Sequence, residues 1–491
     1  VSGHVPRATG AAGRPAGASP RLSTGRLVLV VIAAAAPMAA MVGNLPLALA
    51  LGNGAGLPGA FALATVLLLV FAVGYAAMSR RVVNTGAFYT YVAAGLGRPP
   101  AVVAALLAVV SYLLLVIGLT AGFGYFVALV LASFGLEVSW VPAAVVAVVV
   151  MAVLGYRSVD LSVRVLAVLI AAEVALLVVF DGAIAVREGA AALPAAALAP
   201  GTVFGPGLGI GLMFALTSFI GFESAALYGE EAGDPRASVP RSTYVAICVS
   251  GGFYVVTSWL TVGAVGVGAV RGVAEDRRGE LLFDVAREYA SPFVADLMGL
   301  LLCTSVLASA LAVHNVATRY TFALGREHLL PRMLGHSHPT SRAPSRASLA
   351  VSGVTAVVVA GFAASGLDPY RSVAPSMIGL STVGIVALQS LAAVAIVGYF
   401  VRRPEPGRWR HRVAPALGAV GLGTVVVLLV ANYPTLTGVD DPVLNHLPIL
   451  LAVLAAGALA WTAWLRRRRP EVYRTLGALD LHGHPDRSCA G

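Results

Sequence analysis

The chain has 491 residues, 58% of them hydrophobic and only 11% charged, with a mean hydropathy of +0.86. A soluble domain carries about 25% charge, so this composition excludes a water-soluble fold and calls for an integral membrane protein. A net charge of +10 would suggest a nucleic-acid partner in a soluble chain, but here the basic residues fall between apolar runs and serve topology, so no nucleic acid is expected.

Residues 1–26, rich in Gly, Ala, Pro and Arg, read as a disordered cytoplasmic arm. No short apolar core with a cleavage site follows, so no signal peptide is expected. A spanning helix needs about 20 mainly apolar residues. Such runs lie near 27–50, 57–78, 101–132, 141–156, 161–186, 207–228, 243–268, 293–322, 347–365, 374–400, 413–432 and 446–465, which predicts an all-α bundle of twelve spans. The 33 basic residues are all arginine. With both termini inside, about 27 of them fall on the inner side and about 6 on the outer, as the positive-inside rule requires. Residues 466–491 then form a basic cytoplasmic tail, and the bilayer is the first partner. Cys248, Cys303 and Cys489 make neither a disulfide framework nor a metal spacing. No cofactor or metal is expected.

The first run contains Pro37, Gly43, Asn44 and Pro46. A residue before proline is pushed out of the α region, so a break is expected over 41–45, near Met41, Val42, Gly43 and Asn44. Amide groups freed there are costly in a membrane unless something binds them, and an anion is the natural partner. The fifth run carries an acid, Glu173, and Arg164 near its inner end. Glu173 suits a proton path or a pairing with Arg164, and Arg164 suits a snorkelling anchor.

The sixth run, "GPGLGIGLMFALTSFIGFESAALYG", weakens at Gly221 and then places Glu223. Carbonyls freed around Phe219, Ile220, Gly221 and Phe222 would face a cation or an ammonium group. An acid in mid-span costs about 2.5–3.5 kcal/mol on insertion scales. Protonated it donates one hydrogen bond and ionised it accepts several, which suits proton-coupled switching; a carboxyl that merely staples the helix is the structural alternative. Paired interruptions at corresponding positions of two halves point to a transporter site, and an odd number of spans per half forces the halves to be inverted. Amide donors and carbonyl acceptors together describe a site for a zwitterion.

Further along, 271–292 has Leu281, Leu282, Val285 and Tyr289 at helical spacing and predicts a short amphipathic helix on the outer face. Ser305 and Ser309, four apart on the eighth run, share a face, and serine in a membrane helix commonly packs between helices. His314 reads as hydrogen-bonded structure. Glu230, Glu231, Asp234, Arg236 and Arg241 after the sixth run, and Arg326, Glu327 and Arg332 after the eighth, read as turns with local ion pairs or an inner gate. No phosphate-binding loop is present, so ATP does not drive the protein directly.

The stretch "FIGFESAALYGEEAGDPRASVPRS" resembles the signature of the amino acid–polyamine–organocation transporters, and "NTGAFYTYVAAGLGRP" and "NVATRYTFALGREHLLPRMLGHSHPTSRAP" resemble that family's loops after spans two and eight. The likeness spreads over 27–465. It implies a 5+5 inverted repeat, with 27–186 as the first half and 207–400 as the second, plus two helices over 413–465. It also implies substrate binding between broken helices one and six. On this likeness Val42, Gly43 and Asn44 fall where many members have Gly-Ser-Gly for the substrate carboxylate; Phe219, Ile220 and Gly221 match the second break. Thr217 stands where some arginine exchangers carry a tryptophan. A cation on span five, of which Arg164 is a candidate, can replace a bound sodium ion in this fold class, and hydroxyls on span eight hold that ion in sodium-coupled relatives.

The chain is therefore expected to be a secondary active transporter of amino acids or related amines, working by alternating access with the proton as coupling ion. Exchange of two substrates and sodium symport are the alternatives. An ion channel would need a continuous polar stripe or a charged ring, and the paired half-helix breaks fit an occluded site better; a membrane-embedded enzyme would need a clustered His/Asp or Cys/His constellation at one membrane face, and the sequence shows none.

Overall fold

The computed structural model describes residues 24–82, 87–157, 163–223, 234–338, 343–437 and 442–476. These residues are almost entirely helical, without strands among them. Helices α1 (Thr24–Ala35) and α2 (Leu45–Leu51) are joined through a π-helical stretch, Ala39–Asn44. Then come α3 (Leu57–Ser79), the short α4 (Ala87–Leu96), α5 (Arg98–Ser133), α6 (Trp140–Arg157) and α7 (Val163–Glu188). The second half of the chain supplies α8 (Leu208–Ser218), α9 (Pro235–Val265), α10 (Val270–Arg277), α11 (Leu281–Tyr289) and α12 (Pro292–Arg326). It ends with α13 (Ser345–Ser365), α14 (Ala374–Arg402), α15 (Ala414–Ala431) and α16 (Leu447–Arg468).

Among the described residues, ten helices are long and apolar enough to cross a membrane, and two shorter apolar pieces, Ala39–Leu51 and Leu208–Ser218, occupy the first and sixth runs. These two are short because each is interrupted. Central α5 and α14 bury 67% and 72% of their apolar windows, against 22% for α6 and for α16, which therefore sit at the rim. The apolar residues that α6 and α16 leave exposed, Val145, Val146, Val149, Ile449 and Val453 among them, suit contact with lipid tails rather than water.

Helices in lipid associate by close packing, so small residues mark the tightest crossings. A Cβ on Gly95 of α4 would lie 2.0 Å from the carbonyl oxygen of Ala395 on α14, and one on Gly384 of α14 would lie 2.0 Å from Ser111 Oγ on α5. The amphipathic helix expected on the outer connection is α11, with Leu281, Leu282, Val285 and Tyr289 buried.

Polar contacts sort the connections onto two faces. On one, Thr24 hydrogen-bonds Ser238 at 2.9 Å, Arg81 pairs with Glu405 at 2.7 Å and Tyr89 donates to Glu327 at 2.7 and 2.8 Å. Arg98 donates to the Leu476 carbonyl on the same face. On the other, Asn53 donates to the Val203 carbonyl, Arg271 to that of Gly52 and Arg187 to that of Glu288. The first set joins the even-numbered connections to the two ends of the described chain, and the second joins odd-numbered connections. That is the alternation the arginine pattern requires.

Candidate functional site

The first interruption lies earlier than 41–45. Helix α1 stops at Ala35, and Ala36 takes a positive φ of 44° ahead of Pro37. The pre-proline restriction expected at Leu45 acts at Ala36 instead. Leu45 is itself helical (φ −57°, ψ −43°), and its amide donates to the Met41 carbonyl. Pro46 falls in the first turn of α2, where a missing N–H is tolerated. Met41, Val42 and Gly43 consequently sit on an intact, buried turn. The Gly43 carbonyl accepts from Tyr370 Oη at 3.0 Å.

The amide that follows the new break belongs to Met38. Glu173 of α7 lies beside it, and that carboxylate accepts from Ser305 Oγ of α12 at 3.0 Å. Three elements thus meet on one buried acid, and Glu173 and Ser305, singled out separately in the sequence, prove to be partners. For Arg164 only the helical backbone lies within the described residues, so its pairing with Glu173 cannot be placed.

The second interruption lies where the sequence put it. Helix α8 ends at Ser218, tight turns carry Phe219 to Phe222, and Gly221 has φ 119°, a region that favours glycine. Glu223 lies at this break as Glu173 lies beside the other. Its Oε2 accepts from the Gly221 amide at 3.0 Å and its Oε1 from Tyr112 Oη of α5 at 2.6 Å. Tyr75 Oη of α3 donates to the Glu223 carbonyl at 3.1 Å. The Ser218 carbonyl, freed where α8 stops, accepts from Tyr254 Oη of α9 at 3.1 Å. Tyr112 is in turn held by stacking on Tyr320, with ring centroids 5.9 Å apart.

Between the two breaks lies a cavity of about 40 Å³, room for a water or two rather than for an amino acid. Ala36, Ala40 and Asn44 line one side, Thr217, Ser218 and Ile220 the other, and Ser309 and Val313 of α12 close it. Thr217 Oγ1 bonds Thr382 Oγ1 at 2.7 Å beside it. Of the residues named from sequence, Asn44, Ile220 and Ser309 reach this cavity. Met41, Val42, Phe219 and Phe222 instead pack in the surrounding core, and Gly43 is buried on the turn beside them.

Elsewhere, His314 Nε2 bonds Ser352 Oγ at 2.9 Å, a structural role as expected. Asp234 caps α9 by accepting from the Ala237 amide, and Glu327 accepts from Tyr89. Arg332 donates to His328, whose pKa is lowered by burial and by that guanidinium. Glu230 and Glu231 lie outside the described residues. Sequence reading missed Tyr112, Tyr254 and Asp181. The tyrosines are ordinary within an apolar run, whereas a second acid in the fifth span, eight residues after Glu173, was a visible signal.

A family model described as amino acid permease matches residues 22–457. Uncharacterized transporters of Mycobacterium tuberculosis and Mycobacterium bovis are 27% identical over 212 residues, 43% of this chain and 43% of theirs. A methylthioribose transporter of Bacillus subtilis is 22% identical over 188 residues, covering 38% of this chain and 37% of that one. An uncharacterized amino acid permease of the same organism is 27% identical over 146 residues, 29% of this chain and 32% of its own. Each alignment spans less than half the length of the relative.

Proposed function

The chain belongs to the amino acid permease family, and from that premise we propose a secondary active transporter that moves an amino acid or related amine by alternating access, with protons as coupling ion. The observation that carries this reading is the small cavity between the two interrupted helices, with a buried carboxylate beside each interruption. Both breaks are bistable elements: a carboxylate accepts the freed amide while ionised and is a poorer acceptor once protonated. Opening either would enlarge the cavity toward one side of the membrane.

In this reading the chain crosses twelve times, with 27–186 and 207–400 as inverted halves, 413–465 as two added spans and both termini cytoplasmic. Ser218, Thr217 and the carbonyls of the second break receive the substrate's ammonium group. Asn44 and the amides of the first break receive its carboxylate, with the turn at Val42 and Gly43 behind them. The energetics suffice: one charge moved through 100 mV yields about 2.3 kcal/mol, enough for a gradient of roughly 50-fold.

A second substrate reading follows from Met38. Its amide, the first donor at the break, already faces the carboxylate of Glu173, which favours a substrate without a carboxylate. One relative is, by its name, a carrier of methylthioribose.

Purified protein in proteoliposomes should take up label from a mixture of radiolabelled L-amino acids and putrescine. Uptake should saturate, rise with an outside-acid gradient and collapse with a protonophore. Saturable uptake indifferent to the gradient would remove the proton from the mechanism, and unlabelled methylthioribose that competes would favour the second substrate reading.

A further inference from the structure

Helix α7 carries two buried acids, Glu173 and Asp181, eight residues and so about 12 Å apart along the axis. Asp181 takes no part in either break. Its Oδ2 accepts from Thr257 Oγ1 of α9 at 2.7 Å, and its Oδ1 is buried without a partner among the described residues. The facing helix α9 carries Ser250, Tyr254, Thr257 and Thr261, all buried, at spacings of four, three and four, which places them on one side. Neighbouring residues of α7, Leu176, Leu177, Phe180 and Ile184, are buried and apolar.

Hydroxyls in membrane helices commonly bond the carbonyl one turn back. Thr261 does so, to the Thr257 carbonyl at 2.8 Å. Thr257 does not: its hydroxyl leaves its own helix for Asp181. One turn further in, Tyr254 Oη, on the same side of α9, donates to the Ser218 carbonyl at 3.1 Å. Deeper along α7, Glu173 accepts from Ser305 Oγ at 3.0 Å and lies beside the Met38 amide. Polar groups therefore succeed one another from the outer third of α7 to the break in the first span. A packing clamp would need only a neutral side chain at 181, and an acid at such depth costs about 2.5–3.5 kcal/mol. The groups facing the two acids are Thr257 and Tyr254 of α9, Ser305 of α12 and the Met38 amide. Tyr289 of α11 is engaged by Glu188 at the outer end.

We propose that α7 and α9 form a proton path from the outer face to the first-span break, with Asp181 as its outer station and Glu173 as its inner one. The path rests on the proton-coupled reading above. A hydronium ion at the outer side gives its proton to Asp181 Oδ1, leaving water and a neutral carboxylic acid. That acid then loses the proton, across the Thr257 and Tyr254 hydroxyls, to the carboxylate of Glu173. Asp181 returns to its anionic form, Glu173 becomes neutral, and nothing is oxidised or reduced. Neutral Glu173 is a weaker partner than the carboxylate for the Met38 amide beside it, which leaves that amide for an anionic group of the substrate.

The test needs no substrate. Reconstituted protein is subjected to an acid jump and followed by time-resolved infrared difference spectroscopy of protonated carboxyl bands; Glu173→Gln identifies the Glu173 band by deleting it. In Asp181→Asn the Glu173 band should reach its full amplitude but appear slower by roughly a hundredfold, the low end of what a positioned proton-transfer group contributes. Thr257→Val, which leaves the acid in place, should slow it by a smaller factor. Wild-type kinetics in both variants would overturn the path, as would a wild type in which no Glu173 band appears. Proton-driven uptake in the proteoliposome assay with unaltered band kinetics would discard the path alone. Uptake indifferent to the gradient would discard the coupling instead.

Discussion

Glu223 shows how one residue can be found by composition and understood only by its contacts. Its position inside an apolar run was enough to single it out. Its two partners, the Gly221 amide and Tyr112 Oη, give it a definite task. Glu223→Gln retains one acceptor oxygen and a group that cannot change protonation. It should keep ligand binding and flatten the pH dependence of uptake; an unaltered pH profile in proteoliposomes would rule out a proton role. Glu223→Ala strands two buried donors, each costing about 1–3 kcal/mol, so its melting temperature should fall well below that of the glutamine variant. After α12, His328 makes a separate prediction. Desolvation and Arg332 lower its pKa, so on acidification the unfolded chain protonates before the folded one. The stability this ring contributes is complete above the ordinary imidazole range and declines as pH falls through it. His328→Gln should remove that part of the decline in an acid melting series.

At the scale of the element, the helices were legible because an apolar run of spanning length has few other fates in a membrane. The break in the first span was legible as an event and not as a place. Two X-Pro pairs compete there, Ala36-Pro37 and Leu45-Pro46, and the local rule treats them alike. The first carries the break, with Ala36 at a positive φ, and Glu173 of a distant helix lies beside the Met38 amide it frees. The second is absorbed into the first turn of α2. Helix contacts allow a clean comparison of glycines. Gly95→Ala would drive a Cβ against the Ala395 backbone, which cannot yield, and should cost about 1–3 kcal/mol as overpacking. Gly457 of α16 has open space around it, so Gly457→Ala should be neutral or stabilise by about 0.4–1 kcal/mol. Melting curves of the two variants in one detergent would check both values.

For the whole molecule, the two-faced sorting of connections makes a sidedness prediction. In a variant with its native cysteines replaced, Ser139→Cys in the α5–α6 connection and Arg408→Cys in the α14–α15 connection should react with an impermeant maleimide from opposite sides. The Arg408 position should label only after the inner face is exposed; labelling of both from one side would overturn the topology. The pair of Arg81 with Glu405 places two of the arginine-bearing connections on one face. Hydropathy, arginine placement, the existence of two breaks and the acids beside them were all determined by the sequence alone, because solvation by lipid or water acts on each segment separately. That Ser305 meets Glu173 and that Asp181 meets Thr257 were decided only in the tertiary structure. Each depends on a hydrogen bond between helices far apart in the chain, and local composition carries no record of that register.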